Sequence, residues 1–199
     1  MPSLAENKKN SYLNANIFSA YQVLAEQELT PELAQKLTQL SGTDLLDLVS
    51  LANKVKQKFN SAYHLCTIMN AKSGACSQDC KFCAQSSHNQ SEIDTYALVS
   101  KEKILAAAKQ ASNNGVENFG IVTSGKSFLN INKDFQIILD SLTEIHKKYP
   151  KLKLCASLGM LSETTAKALA KHHLSHYNIN LQTNPKKYAS LIATTHAVT

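Results

Sequence analysis

The sequence contains no apolar run of the ~18 residues that a membrane-spanning helix needs. Its N-terminal stretch, MPSLAENKKNSYLN, lacks a secretory hydrophobic segment. These two absences make the cytoplasm the expected location, with no membrane partner. Glycine and proline are sparse, at 6 and 4 residues, which excludes collagen-like and Pro/Gly-rich disordered chains. Repeats at periods of roughly 20–50 residues are missing, which excludes a solenoid. What is present is an ordinary globular composition, 43% hydrophobic over 199 residues, long enough to bury one core.

The net charge of +6 raises the question of nucleic acid. The lysines are scattered, over Lys8-Lys9, Lys54, Lys56 and Lys58, Lys147-Lys148, Lys151 and Lys153, and Lys186-Lys187. No stretch interleaves bases with aromatics as a stacking platform does. Solvated faces account for the charge, and no nucleic-acid partner is expected.

The five cysteines say more. An odd count in a chain with no secretory segment argues against a disulfide framework and for metal or redox chemistry. Three of them fall together in CSQDCKFC, while Cys66 and Cys155 stand apart.

The first 60 residues read as helices. Thr30-Pro31-Glu32 supplies a cap, a first-turn proline and an acid for a short helix carrying Leu33, Leu37 and Leu40. A second helix starts near Asp44, with Leu45, Leu48, Ala52, Val55 and Phe59 at helical spacing. From Tyr63 the pattern alternates. Strands are expected at 63–69, 119–123, 152–158 and 176–182, and helices at 100–114, 132–148 and 162–171. Ser100 caps the first of these helices and Gly115 follows it. Such alternation predicts a parallel α/β sheet with right-handed crossovers. A closed eight-stranded barrel needs twice as many strands, in ~250 residues. The chain is therefore either a small open sheet or the first half of a barrel.

Cys76-x3-Cys80-x2-Cys83 places three thiolates on a short loop after a strand. Such a loop can wrap one side of a cuboidal iron–sulfur cluster, and a count of three leaves one iron open to a non-protein ligand. Lys72, Lys81 and loop N–H groups are expected to offset the cluster's charge. Zinc would need a fourth ligand from Cys66, Cys155 or a distant histidine. Unliganded thiols grouped on an exposed loop would be prone to oxidation.

In the strand expected at 176–182, Asn178, Asn180 and Gln182 alternate with Tyr177, Ile179 and Leu181. That pattern gives an amide-lined face toward a lumen and an apolar face toward helices, or a solvent-facing edge strand. Cys155 shares a strand face with Lys153 and Ser157, opposite Leu152, Leu154 and Ala156. Cys66 is expected in the core. His64, His88, His172 and His173 have no spacing that marks them as metal ligands.

The segment NAKSGACSQDCKFCAQSSH closely resembles the signature of the biotin synthase family of radical S-adenosylmethionine (SAM) enzymes. The resemblance continues through Ile121-Val122-Thr123-Ser124-Gly125, Cys155-Ala156-Ser157-Leu158-Gly159, Tyr177-Asn178-Ile179-Asn180-Leu181 and Ala193-Thr194-Thr195-His196. It includes the helical lead-in DLLDLVSLANKVKQKF. The fold it implies is the first half of a radical SAM (β/α) TIM-type barrel at 61–199, preceded by a helical extension at 1–60.

The resemblance further implies that Cys76, Cys80 and Cys83 bind a [4Fe–4S] cluster whose open iron takes SAM. Reductive cleavage of SAM would give a 5′-deoxyadenosyl radical, hydrogen abstraction from dethiobiotin and sulfur insertion to biotin. The chain would thus be a sulfurtransferase of biotin biosynthesis, with no catalytic side chain named. Phe82 would lie beside the adenine or anchor the loop. Asn178 and Asn180 would contact dethiobiotin, and Asn180 and Gln182 would contact SAM, with Gln182 at a position usually acidic in relatives. Cys155 would be either a ligand of an auxiliary iron–sulfur cluster or a buried strand thiol. The companion cysteine of that cluster aligns with Gly120 and is absent. An electron donor such as flavodoxin or ferredoxin, and a homodimer in the full-length family, are also implied. Complete relatives continue through the second half of the barrel, so a fragment or truncated gene product is expected. The alternatives are a non-catalytic iron–sulfur-binding fragment and a radical SAM enzyme acting on another substrate.

Overall fold

The computed structural model describes residues 12–195; His196 lies outside them. The chain divides into two compact units between Tyr63 and His64.

The first unit is helical: α1 (Ala15–Ala20), a 3-10 turn (Tyr21–Ala25), α2 (Pro31–Leu37) and α3 (Thr43–Phe59). The cap of α2 is the expected one, with Thr30 Oγ1 accepting from the Leu33 N–H at 3.2 Å and Pro31 in the first turn. Ile17, Ala20, Leu37 and Leu51 form its core, with Leu33, Leu40, Leu48 and Val55 packed around them. The apolar stripe of α3 differs from the sequence reading. Leu51 is buried, whereas Leu45 and Phe59 are exposed. The helix carries apolar residues on several faces, and periodicity alone did not select the one that α1 covers.

The second unit is a parallel sheet wound by helices. Its elements are β1 (Cys66–Lys72), α4 (Lys101–Asn113), β2 (Asn118–Thr123), β3 (Ser127–Phe128), α5 (Lys133–Lys148), β4 (Lys153–Ser157), β5 (Met160–Leu161), α6 (Glu163–Lys171), β6 (Leu174–Tyr177), a 3-10 turn (Pro185–Lys187) and α7 (Tyr188–Leu191). The main sheet has the order β1-β2-β4-β6, with every neighbouring pair parallel. A second, two-stranded parallel sheet joins β3 to β5.

Side-chain alternation gives the main sheet two different faces. Phe119, Ile121, Leu154 and Ala156 lie on one, packed in a single core with Ile104 and Ala108 of α4 and with Phe135, Ile138, Leu142 and Ile145 of α5. The opposite face carries Ile68, Gly120 and Cys155, matched in register across three strands. The helices are set by their caps. Ser100, Asn132 and Ser162 accept from the N–H groups of Lys103, Phe135 and Thr165.

Two strands differ from the sequence reading. The first begins at Cys66 and runs to Lys72, rather than 63–69, because pairing with β2 starts at Cys66↔Asn118 and extends past a bulge to Lys72↔Thr123. Tyr63 is exposed, with the Lys56 ammonium over its ring. The last strand spans Leu174–Tyr177, not 176–182. Its partner β4 ends at Ser157, and the Asn178 N–H to Ala156 carbonyl bond, 2.8 Å, completes the pairing. Beyond it Ile179 and Leu181 are exposed, so the apolar face expected against helices stops at Tyr177.

Candidate metal centre

The three clustered cysteines sit on the excursion between β1 and α4, at the C-terminal end of the parallel sheet, where loops of α/β folds carry their chemistry. The turn out of β1 needs Gly74. Its φ is +72°, and a Cβ there would lie 2.3 Å from Thr95 Oγ1. Ser73 exchanges backbone hydrogen bonds with Tyr96 at 3.1 and 3.0 Å. The Gln85 amide oxygen accepts from Ser73 Oγ and from the Gly74 N–H. The loop is thereby pinned at its neck.

Each cysteine carbonyl is then tied down. The Cys76 carbonyl accepts from the Ser87 N–H at 2.8 Å and from Ser87 Oγ at 3.0 Å. Asn89 Nδ2 donates to the carbonyls of both Cys80 and Cys83, each at 2.9 Å. Ser86 Oγ donates to the Gln78 carbonyl at 2.6 Å. With its backbone fixed this way, the loop presents three half-buried thiols. Cys80 is pushed above the ordinary thiol value by burial and then by its neighbours Cys83 and Cys76. Cys76 and Cys83 thus lie in the electrostatic neighbourhood of Cys80, and bound iron would offset the charge of the thiolate forms.

The donor set fits a cluster better than a single ion. Among the described residues no three His, Cys, Asp or Glu side chains converge closely enough for one metal ion. A cuboidal cluster instead spreads its thiolates over separate irons. The buried Gln78 Oε1 and Thr123 Oγ1 have no hydrogen-bond partner among the described residues, leaving polar capacity on the cysteine loop and at the end of β2. The lysines expected to balance cluster charge have other partners. Lys81 Nζ donates to the Ser190 carbonyl at 2.6 Å, and Lys72 pairs with Asp134 at 3.8 Å. Phe82 is 58% exposed on the loop.

The other sequence-marked residues lie elsewhere. Cys155 is half-buried on the inner sheet face and lines a concavity of about 280 Å³ with Cys66, Ile68, Gly120, His176 and Asn178. Burial, and then the nearby Cys66 thiol, raise its pKa. Cys66 is exposed on that same face, not in the core, because it is the first residue of β1 and nothing precedes it in the sheet. Asn180 and Gln182 are exposed in the irregular segment after β6, with Gln182 at φ +62°. The structure thus brings Asn178 together with Cys155 and leaves Asn180 and Gln182 outside the lining of that concavity. Gln85 was legible only as part of a motif, and nothing in the sequence pattern announced Asn89.

A family profile described as the Radical SAM superfamily matches residues 71–198, the stretch that carries this loop and most of the sheet. The chain belongs to the radical SAM superfamily. Its sheet is the first half of the TIM-type barrel of such enzymes. Curated radical SAM relatives sharpen the likeness. The chain is 48% identical over 192 residues to the biotin synthase of Chlorobaculum tepidum, covering 94% of this chain and 58% of the relative. It is 47% identical over 194 residues to the biotin synthase of Chlorobaculum parvum, covering 95% and 58%. The radical SAM chain thus spans 58% of the length of these relatives. Among solved structures, HydG, described as a maturase of the [FeFe]-hydrogenase, matches with a TM-score of 0.68 at 16% identity, over 89% of this chain and 39% of that one. At that identity the match speaks for the fold alone. No helix among the described residues is long and apolar enough to cross a membrane.

Proposed function

We propose that this radical SAM chain holds a [4Fe–4S] cluster on Cys76, Cys80 and Cys83, binds SAM beside it, and acts on dethiobiotin as a biotin synthase does, in the cytoplasm. The observation that carries the proposal is the pinned loop, which gathers three half-buried cysteines at the C-terminal end of a parallel sheet. The similarity to biotin synthases supports the choice of substrate. When bound, the cluster supplies the electron, received from a donor such as flavodoxin or ferredoxin, that cleaves SAM to the radical that abstracts hydrogen.

The protein's own side chains bind and orient. Phe82 offers a ring face to the adenine. Asn178, in the concavity on the inner face of the sheet, offers an amide that can both donate to and accept from the ureido group of dethiobiotin. Asn180 offers the same chemistry to either ligand, and Gln182 offers its amide to SAM. Cys155 has Cys66 as its thiol neighbour for an auxiliary cluster. Homodimer formation belongs to this reading as well.

The test is anaerobic reconstitution with iron and sulfide. Broad visible absorption is expected, and reductant with SAM then yields 5′-deoxyadenosine. Absorption that persists after all three cysteines are replaced by Ala overturns the assignment. Deuterium passing from labelled dethiobiotin into 5′-deoxyadenosine tests the substrate, and its absence points to another.

A second reading is favoured by Gly120. The residue in register with Cys155 on β2 has no thiol, and Ile68 beside it is 70% exposed. Under this reading the chain binds its cluster and cleaves SAM without completing sulfur insertion. 5′-Deoxyadenosine formed without biotin would select it.

A further inference from the structure

The cysteine loop is gripped from far along the chain. Asp79, between Cys76 and Cys80, accepts from the Thr194 N–H at 3.0 Å on each carboxylate oxygen and from the Thr195 N–H at 3.0 Å. It also accepts from the Thr194 hydroxyl, and from Thr195 Oγ1 at 2.6 Å. The Asp79 N–H returns a bond to Thr195 Oγ1 at 3.2 Å. Two residues on, the Lys81 N–H donates to the Ile192 carbonyl at 2.9 Å, and its ammonium reaches the Ser190 carbonyl. Tyr188 and Ala193, at 5% and 0% exposure, seat the same segment.

We propose that Asp79 is a positioning residue: its clasp on Thr194 and Thr195 fixes the segment after β6 against the cysteine loop and so sets where Asn180 and Gln182 stand relative to the cluster. The argument is one of tethers. Residues 178–182 leave the sheet at the Asn178 N–H to Ala156 carbonyl bond and have no strand partner beyond it. Their far end, past the 3-10 turn and α7, is held by Asp79 and Lys81. A span anchored at both ends samples far fewer positions than one anchored at a single end. One of its two anchors sits within the cysteine motif itself. A carboxylate suits this task, because it alone among small side chains accepts four or more hydrogen bonds without offering one back.

The inference rests on the proposed cluster and SAM site, and its test separates the two. In hydrogen exchange of the chain without cofactor, Asp79→Ala is expected to speed exchange at Thr194, Thr195 and Asn178, whose N–H groups are hydrogen-bonded, by about tenfold or more, through loss of the charge-assisted bonds. In the reconstituted chain the variant is expected to retain its iron and visible absorption. It should then need about tenfold more SAM to perturb the electron paramagnetic resonance signal of the reduced cluster. Asp79→Asn, which keeps one acceptor oxygen, is expected to fall between wild type and Asp79→Ala in both readouts.

Unchanged exchange at Asn178 overturns the inference, whether or not a cluster forms. A wild-type SAM titration curve in Asp79→Ala overturns it as well. If the wild-type signal itself ignores SAM, the proposed function fails, and the exchange experiment alone decides the clasp.

Discussion

Ile68 of β1 covers Gly120 of β2: a Cβ placed on Gly120 would stand 3.0 Å from the Ile68 Cγ2 atom. The two residues are register partners, and the side chain missing from one is the space occupied by the other. β-Branched residues have stiff χ1 angles in strands, so Ile68 yields to a new methyl group at a cost. Gly120→Ala should lower stability by about 1 kcal/mol through overpacking. Adding Ile68→Ala should recover most of that loss. Chemical denaturation of the single and double variants checks it, and additive losses would show that the two positions do not touch.

The cysteines separate by role. Single Ala replacements of Cys76, Cys80 or Cys83 should each abolish visible absorption after reconstitution, since every one removes an iron ligand. Cys155→Ala, on the inner sheet face, should leave the absorption of the loop cluster unchanged. Parallel reconstitutions of the four variants, with iron counted per chain, distinguish them.

Asn89 is expected to matter to the loop without touching a metal. Its amide nitrogen serves the carbonyls of Cys80 and Cys83 at once. Asn89→Ala should cost about 1–3 kcal/mol, the penalty of leaving such groups unsatisfied. Asn89→Asp should be no better, because it lacks the donor. The measurement is thermal unfolding of the chain without cofactor, joined to the rate at which a chelator strips iron from the reconstituted form.

Glu144 gives a pH prediction. It lies between Lys148 at 2.7 Å and Lys101 at 3.0 Å, tying α5 to α4. Hydrogen bonds from Lys148 and then Lys101 lower its pKa. A carboxylate depressed in the folded state stabilises above its unfolded pKa of about 4.3, and this contribution disappears as pH falls through the lower folded value. Glu144→Gln should therefore melt below wild type at pH 7, by a margin that narrows below about pH 4. A margin independent of pH would remove the ion pairs as the cause.

The helices that wind the sheet were legible in the sequence because their information is local. Ser100, Asn132 and Ser162 each satisfy an N–H three residues on, and the apolar face of α5, with Phe135, Ile138, Leu142 and Ile145, is buried as its spacing predicts. The outer strands were harder to place because a strand ends where its partner does. Ile179 and Leu181 alternate with amides as a strand would, yet β4 offers nothing beside them. The same division holds at the site. The cysteine spacing is a local pattern, as is the aromatic Phe82 within it. The bonds from Asn89 and Gln85, and those that Thr194 and Thr195 make across more than a hundred residues, link single side chains to distant backbone or side-chain atoms and leave no periodic trace.

The order β1-β2-β4-β6 also bears on how the protein is made. Each strand of the main sheet docks beside the main-sheet strand synthesised before it, so the sheet can grow in step with translation. The grip on the cysteine loop is the exception. Asp79 finds its partners 115 and 116 residues later, after every strand of the main sheet has emerged. The clasp on the cysteine loop can therefore close only once Thr194 and Thr195 have left the ribosome, later than the pairing of β1, β2, β4 and β6 can begin.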